Sequence, residues 1–233
     1  MTNTDTDQGL DDPRLKSMLA EVHEASRGDK WVFLRALPYG LASLATGKPF
    51  MEGVMPRLVN AYIGVPDEVG RLLYLTARAT SAKCAVEFGT SFGISALYLG
   101  AAMRANGGSF IGTEIEPAKV SVARANLDRA GLSSWAEVRE GDAMDTLKTI
   151  DAPIDILLLD GWKELYLPIL KQLTPKLSKG AVVFADNIYT FRKALTPYVA
   201  HMRDPQNQFE TTTLPIGSGV EMSVFRADND SGL

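Results

Sequence analysis

Two carboxylates, an amide and a lysine stand directly behind apolar runs in the second half of this chain. Ile154-Asp155-Ile156-Leu157-Leu158-Leu159 leads into Asp160-Gly161-Trp162-Lys163, and Ala181-Val182-Val183-Phe184-Ala185 leads into Asp186-Asn187. Asp160, Asp186 and Asn187 are hard oxygen donors. They suit Mg²⁺ or another divalent cation whose octahedron is completed by water and substrate oxygens. The alternative is that both aspartates only cap the helices that follow. Lys163 lies three residues after Asp160. In a partly desolvated cleft beside a cation, an ammonium gives up its proton more readily. Lys163 could then accept the proton of a hydroxyl that the metal has acidified. Its other reading is a solvated helix lysine.

A second cluster lies earlier. Cys84-Ala85-Val86 is followed by Glu87-Phe88-Gly89-Thr90-Ser91-Phe92-Gly93-Ile94-Ser95. Strand, glycine turn and helix start form a unit in which the backbone can approach a ligand closely. Free N–H groups at the helix start then face its polar atoms. The spacing is E-x-G-x-x-x-G, without the third glycine of a dinucleotide fingerprint. Phe110-Ile111-Gly112-Thr113-Glu114 is the next apolar run and ends in an acid. An acid about 20 residues past such a turn is where a ribose diol is gripped. Otherwise Glu114 is an N-cap-type acid ahead of the helix that opens at Pro117.

These residues need a scaffold that sets strand ends side by side. From Cys84 the pattern alternates: strands at 84–88, 109–114, 136–140, 154–159 and 181–185. Helices are expected over Gly93 to Ala105, Pro117 to Ala130, near 143–149, through about Leu177, and in a mixed stretch 189–203. Asn106-Gly107-Gly108, Gly131 and Lys179-Gly180 are read as stops. Two further runs, 208–213 and 219–226, flank Pro215-Ile216-Gly217-Ser218-Gly219 and predict an antiparallel hairpin. The expected fold is α/β: a doubly wound, Rossmann-like seven-stranded sheet, mostly parallel, with a C-terminal antiparallel hairpin and N-terminal helices.

Residues 1–11 are expected to be a disordered polar tail, and 12–233 a single domain with a helical cap over 12–60 and the core over 61–233. Asp12-Pro13 is an N-cap followed by proline at the first helical position. Leu15, Met18, Leu19 and Val22 recur at helical spacing, with His23 as a surface or groove histidine. Trp31 to about Leu44 predicts a second helix, broken at Pro38, that covers the core, forms a lid or makes a homodimer face. Gly47–Pro56 is read as a loop, and Val69, Leu72, Leu73 and Leu75 mark the next helix.

Composition narrows the function. The chain has 233 residues, is 45% apolar and carries a net charge of −4 with its basic residues scattered. That supports a full core and points to no nucleic-acid surface. Cys84 is the one cysteine, so no intrachain disulfide forms. There is no signal-peptide pattern and no apolar stretch of membrane-spanning length. The expectation is a cytoplasmic protein acting on a small molecule, with neither nucleic acid nor membrane as partner.

The residues from about Ile63 to Phe225 resemble the class I S-adenosylmethionine-dependent methyltransferases, and among them the catechol O-methyltransferase branch of cation-dependent enzymes. Glu87 to Ser95 resembles that family's Glu-Leu-Gly-x-x-x-Gly-Tyr-Ser loop. Thr113-Glu114-Ile115-Glu116-Pro117 is similar to its Ile-Glu-Ile-Asn-Pro strand end. Asp160-Gly161-Trp162-Lys163-Glu164-Leu165-Tyr166-Leu167-Pro168 resembles Asp-His-Trp-Lys-x-x-Tyr-Leu-Pro, with Ala185-Asp186-Asn187 at the matching distance. The resemblance implies S-adenosyl-L-methionine and Mg²⁺ as cofactors. Val65, Glu87, Gly89, Ser91, Gly93 and Ser95 would shape the methionine end of the cofactor site. Glu114 would bind the ribose with Ile115 beside it, and Asp142 and Ala143 would lie along the adenine. Asp160 and Trp162 would also touch the cofactor, and Trp162 would wall the acceptor site. Asp160, Asp186 and Asn187 would hold the metal, with Lys163 as general base. Gly161 stands where the family has His, and no acid lies near Thr211-Thr212-Thr213, where the family has a substrate-orienting Glu. The implied reaction is methyl transfer to a hydroxyl of a small aromatic vicinal diol. The rival readings are a metal-independent N- or O-methyltransferase, a nicotinamide-dependent oxidoreductase, and a non-catalytic cofactor-binding protein.

Overall fold

The computed structural model describes residues 8–28, 30–47, 53 and 64–226. The tail Met1–Asp7, most of the loop expected over Gly47–Pro56, and Ala61–Ile63 lie outside them. In chain order the elements are α1 (Pro13–Gly28), α2 (Lys30–Ala45), α3 (Asp67–Ala79), β1 (Cys84–Phe88), α4 (Ile94–Asn106), β2 (Ser109–Glu114), α5 (Pro117–Arg129) and β3 (Ala136–Glu140). Then come α6 (Ala143–Thr146), β4 (Ile154–Leu159), α7 (Tyr166–Leu173), β5 (Leu177–Ala185), α8 (Arg192–Arg203), β6 (Phe209–Leu214) and β7 (Val220–Phe225).

The seven strands form one sheet in the order β3-β2-β1-β4-β5-β7-β6. The first five are parallel, and β7 runs antiparallel to both β5 and β6. Period-two alternation splits the core in two. Ala85, Ile156, Leu158, Val182 and Phe184 pack with α1, α3, α4 and α5 on one face. Cys84, Val86, Phe88, Leu157, Leu159, Val183 and Ala185 pack with α6, α7 and α8 on the other. Both faces of β4 and β5 are therefore covered, which accounts for their nearly unbroken apolar runs. Burial pushes the Cys84 thiol up to about 11, so it serves as a small core residue.

Several boundaries differ from the sequence-based expectation. Lys179-Gly180 does not end a helix. Gly180 has φ +81° inside β5, where the pairing with β4 shifts register, so the glycine marks a bulge in a strand that begins at Leu177. The helix expected through Leu177 is α7 flanked by 3₁₀ turns at Lys163–Leu165 and Thr174–Lys176. The helix near 143–149 is the single turn α6. α2 runs through Pro38 without a break in its assignment, and Leu75 on α3 is exposed rather than packed. Gly9–Asp11, expected within the disordered tail, form a 3₁₀ turn because Leu10 packs on the core.

α1 is fastened to the sheet layer by more than its apolar stripe. Asp12 Oδ1 accepts from the N–H of Arg14 and Leu15, as an N-cap should. His23 Nε2 lies 2.8 Å from the Tyr98 hydroxyl of α4, which donates to Asp67 Oδ1 at the start of α3. Because that proton is committed to Asp67, His23 is the donor in its own bond. His23 is thus a groove histidine with a structural partner.

Candidate active site

The parallel register brings five strand ends to one edge. Backbone hydrogen bonds continue past the strands: Gly141 N–H donates to Glu114 O, Thr90 N–H to Thr113 O, Asp160 N–H to Phe88 O and Asp186 N–H to Leu159 O, all at 2.9–3.1 Å. Ligands of open α/β sheets lie beyond these carboxyl ends. Glu87, Gly89–Ser95, Glu114, Asp142, Asp160–Lys163 and Asp186–Asn187 all stand there, as the sequence predicted.

On the β1–β2–β3 side the groups are organised by backbone. Gly89 has φ +93°, and a Cβ there would come within 2.5 Å of the Gly161 backbone, so glycine is required. Ser91 also has positive φ, at +49°, and aims its N–H at Glu114 Oε2, 2.9 Å away. Glu114 Oε1 accepts from the N–H of Ile115 and Glu116 at 2.9 and 3.0 Å. The carboxylate thus ties the β1 turn to the end of β2, and it is not the N-cap of α5, a position held by Glu116. Asp142 does cap, accepting from Met144 N–H at 2.8 Å, with Ala143 buried behind it. Ile115 is 55% exposed beside Glu114, whereas the Val65 side chain is packed in the core ahead of α3.

Glu87 is the exception on this side. It is fully buried, and its Oε1 accepts from the Ser95 hydroxyl. Its Oε2 and the nearby Thr90 hydroxyl find no partner among the described residues. Burial pushes its carboxyl up to about 8, opposed by the Ser95 bond.

On the β4–β5 side the order of events in the chain is different. The 3₁₀ turn at Lys163–Leu165 has three residues per turn, so side chains three apart lie on one edge. Lys163 and Tyr166 share that spacing, and Asp160 approaches the same edge from the end of β4. Lys163 Nζ lies 3.5 Å from Asp160 Oδ1 and 2.7 Å from the Tyr166 hydroxyl. The Tyr166 hydroxyl donates to the Asp186 carbonyl at 3.2 Å. Only 12% of the Lys163 side chain and 16% of that of Asp160 are exposed, so Lys163 is no solvated helix lysine. The Phe191 ring lies 5.4 Å from its nitrogen. Asp186 Oδ1 accepts from Asn187 N–H and Oδ2 from Asn187 Nδ2, and Asn187 holds φ +69°. Neither aspartate caps a helix.

Burial pushes the Asp160 carboxyl up to about 7; the Lys163 ammonium opposes this and the Asp186 carboxylate adds to it. Burial likewise raises Asp186, against the Asn187 bonds and Lys163. Two buried carboxylates therefore share a single ammonium, and this surplus of negative charge is what a divalent cation would neutralise. Among the described residues no group of three or more His, Cys, Asp or Glu could hold a metal. A cation bound here would need a third protein donor such as the Asn187 amide, and such an all-oxygen set would suit a hard cation.

Trp162 opens this turn and is 52% exposed. Gly161 faces inward, where a Cβ would come within 2.5 Å of the Phe88 ring. Phe88, where the resembled motif has Leu, fills with its ring the space that a side chain at 161, where the motif has His, would need. Tyr166 was given no role on sequence grounds, although its spacing from Asp160 and Lys163 was a usable signal.

The comparisons agree with this geometry. A family model described as a methyltransferase domain matches residues 86–188. A catechol O-methyltransferase of Niastella koreensis is 32% identical over 158 residues, covering 66% of this chain and 69% of that one. The chain belongs to the catechol O-methyltransferase-like family. It is a class I S-adenosylmethionine-dependent O-methyltransferase. A catechol O-methyltransferase of Mycobacterium tuberculosis is 34% identical over 54% of this chain and 57% of its own length. Among solved structures, cofactor-bound Rv0187 from MTB shares 27% identity and a TM-score of 0.66, over 71% of this chain and 83% of that one. The fold also matches an O-methyltransferase from Bacillus cereus in complex with SAH, with TM-score 0.68 and 22% identity over 90% and 91% of the two chains. No helix among the described residues is long and apolar enough to cross a membrane.

Proposed function

We propose that this methyltransferase acts on one hydroxyl of a small aromatic vicinal diol, with Lys163 as general base and with Asp160, Asp186 and Asn187 holding a divalent cation, Mg²⁺ in the first instance. The observation that carries the reading is the nearly buried Lys163 nitrogen between a carboxylate and a phenol, beside two carboxylates that share its charge. S-adenosylmethionine supplies an activated sulfonium methyl, and the cation would supply the Lewis acidity that lowers the pKa of a chelated hydroxyl. Lys163, having released its own proton to solvent, takes the acceptor's hydroxyl proton as the O–CH₃ bond forms and the S–CH₃ bond breaks. Glu114 and the glycine turn orient the nucleoside end, while Trp162 flanks the acceptor. The strand ends thereby contribute alignment, which is the larger part of the catalysis such a reaction needs.

Calorimetric titration with S-adenosylhomocysteine, repeated with Mg²⁺ and a panel of vicinal diphenols, tests this. Diphenol binding that depends on the cation is expected. Chelator-resistant turnover would move the function to a metal-independent N- or O-methyltransferase. Cation binding should strengthen as pH rises through about 7, because Asp160 must first lose its proton.

A further inference from the structure

Tyr166 is wholly buried, yet its hydroxyl bridges Lys163 and the end of β5. The ring is held edge-on by Phe88 and Tyr198, with centroids 6.4 and 5.8 Å away and interplanar angles of 80° and 86°. Its oxygen accepts from Lys163 Nζ at 2.7 Å and its proton goes to the Asp186 carbonyl at 3.2 Å. Lys is a flexible donor, with a four-carbon stem and three rotatable N–H groups. Something has to choose the direction in which its lone pair points.

We propose that Tyr166 is a positioning residue for methyl transfer: its phenol takes one N–H of Lys163 and so fixes the nitrogen beside Asp160 with its lone pair free for the acceptor's proton. The direction of the hydrogen bonds is what makes this work. A phenol that donated to Lys163 would occupy the lone pair that the reaction needs. Here the single O–H is engaged by the Asp186 carbonyl, so the oxygen can only accept from Lys163. The same bond joins the Lys163 turn to the β5 end, so the base and Asp186 keep their relative places. The Phe191 ring, 5.4 Å from the nitrogen, offers it no hydrogen bond, and among the described residues Asp160 is its other polar contact. A misplacement of the order of 1 Å at a reacting group costs roughly 10²-fold in rate.

The proposal rests on Lys163 being the base, and the test separates the two. Tyr166→Phe keeps the ring and its edge contacts and removes only the hydroxyl. With an acceptor that turns over in the diphenol panel, kcat should fall about tenfold to a hundredfold while KM and S-adenosylhomocysteine affinity stay within about twofold. In a Lys163→Ala background the same change should cost nothing further, because Tyr166 acts through Lys163. An additive loss would overturn the positioning role, as would an unchanged kcat in Tyr166→Phe beside a severe Lys163→Ala defect. A mild Lys163→Ala defect would instead remove the base reading. A measurement without turnover runs in parallel: amine-reactive labelling of the metal-free protein, read by peptide mass spectrometry. Lys163 should label more slowly than exposed Lys148 in the wild type, and several-fold faster in Tyr166→Phe. If Lys163 labels as fast as Lys148 in the wild type, or equally in wild type and variant, the phenol does not hold it, whether or not the variant folds well.

Discussion

Glu114 and Asp160 stand at the ends of the two strands that flank β1, and their carboxylates meet opposite conditions. Glu114 accepts three backbone N–H groups within 3.0 Å. Asp160 is nearly buried and has a lysine at 3.5 Å, with a second buried carboxylate acting on it. Glu87 apart, the acids of the β1–β2–β3 edge are satisfied by its own turn backbone. The β4–β5 edge is arranged around charge that its own residues do not balance. On the proposed function, a preorganised half would hold the nucleoside and a charge-strained half would take cation and acceptor.

The largest test of this division is Lys163→Ala. Turnover should drop by about 10²–10⁴-fold, the usual worth of general-base help, with S-adenosylhomocysteine affinity near wild type. Equal loss of both would make Lys163 structural and dissolve the contrast. Next, Glu114→Ala removes an acceptor of three N–H groups. S-adenosylhomocysteine affinity should weaken about tenfold to a hundredfold by calorimetry, as for one or two charge-assisted hydrogen bonds. If Mg²⁺ affinity fell with it, the two halves would not be independent.

Gly161→His probes the boundary between the halves. The added ring meets Phe88, so the melting temperature should drop by the equivalent of about 1–3 kcal/mol of overpacking. Phe88→Leu in the same chain should recover part of it; no recovery would mean that the two positions do not trade volume. The last test, Glu87→Gln, is read in the pH dependence of stability. Between its ordinary 4.5 and about 8, folded Glu87 keeps a proton that the unfolded chain has released. Its contribution therefore makes stability decline as pH rises through that window. The Gln variant should flatten the decline in a thermal-melting series from pH 5 to about 8. An unchanged slope would place the titrating group elsewhere, Asp160 first.

How much of this was legible beforehand follows from the physics of each element. Val86, Ile111 and Leu157 sit in short apolar runs bounded by glycine or acid, and the paired strands matched the expected bounds for β1, β2, β3 and β4. β5 was misjudged at its start because Gly180 in a bulge and Gly past a helix look alike in one dimension. The roles of single acids were less legible. Asp142, Asp160 and Asp186 all follow strands, yet only Asp142 caps a helix. Whether an Asp caps a helix depends on whether the N–H two residues on turns towards it, as at Asp142, and strand ends do not specify that.

The chain by itself determined the alternation of strand and helix, the glycine turn after β1 and the chemistry offered at the strand ends, because periodicity, φ preference and side-chain type are local properties. Tertiary structure alone decided the rest. Parallel register set Asp160 beside Asp186, burial raised both, and the Phe88 and Tyr198 rings clamped Tyr166 so that its hydroxyl reaches Lys163. Charge state and hydrogen-bond direction follow from desolvation and from the groups that pack around an atom, and those are fixed only when distant segments meet.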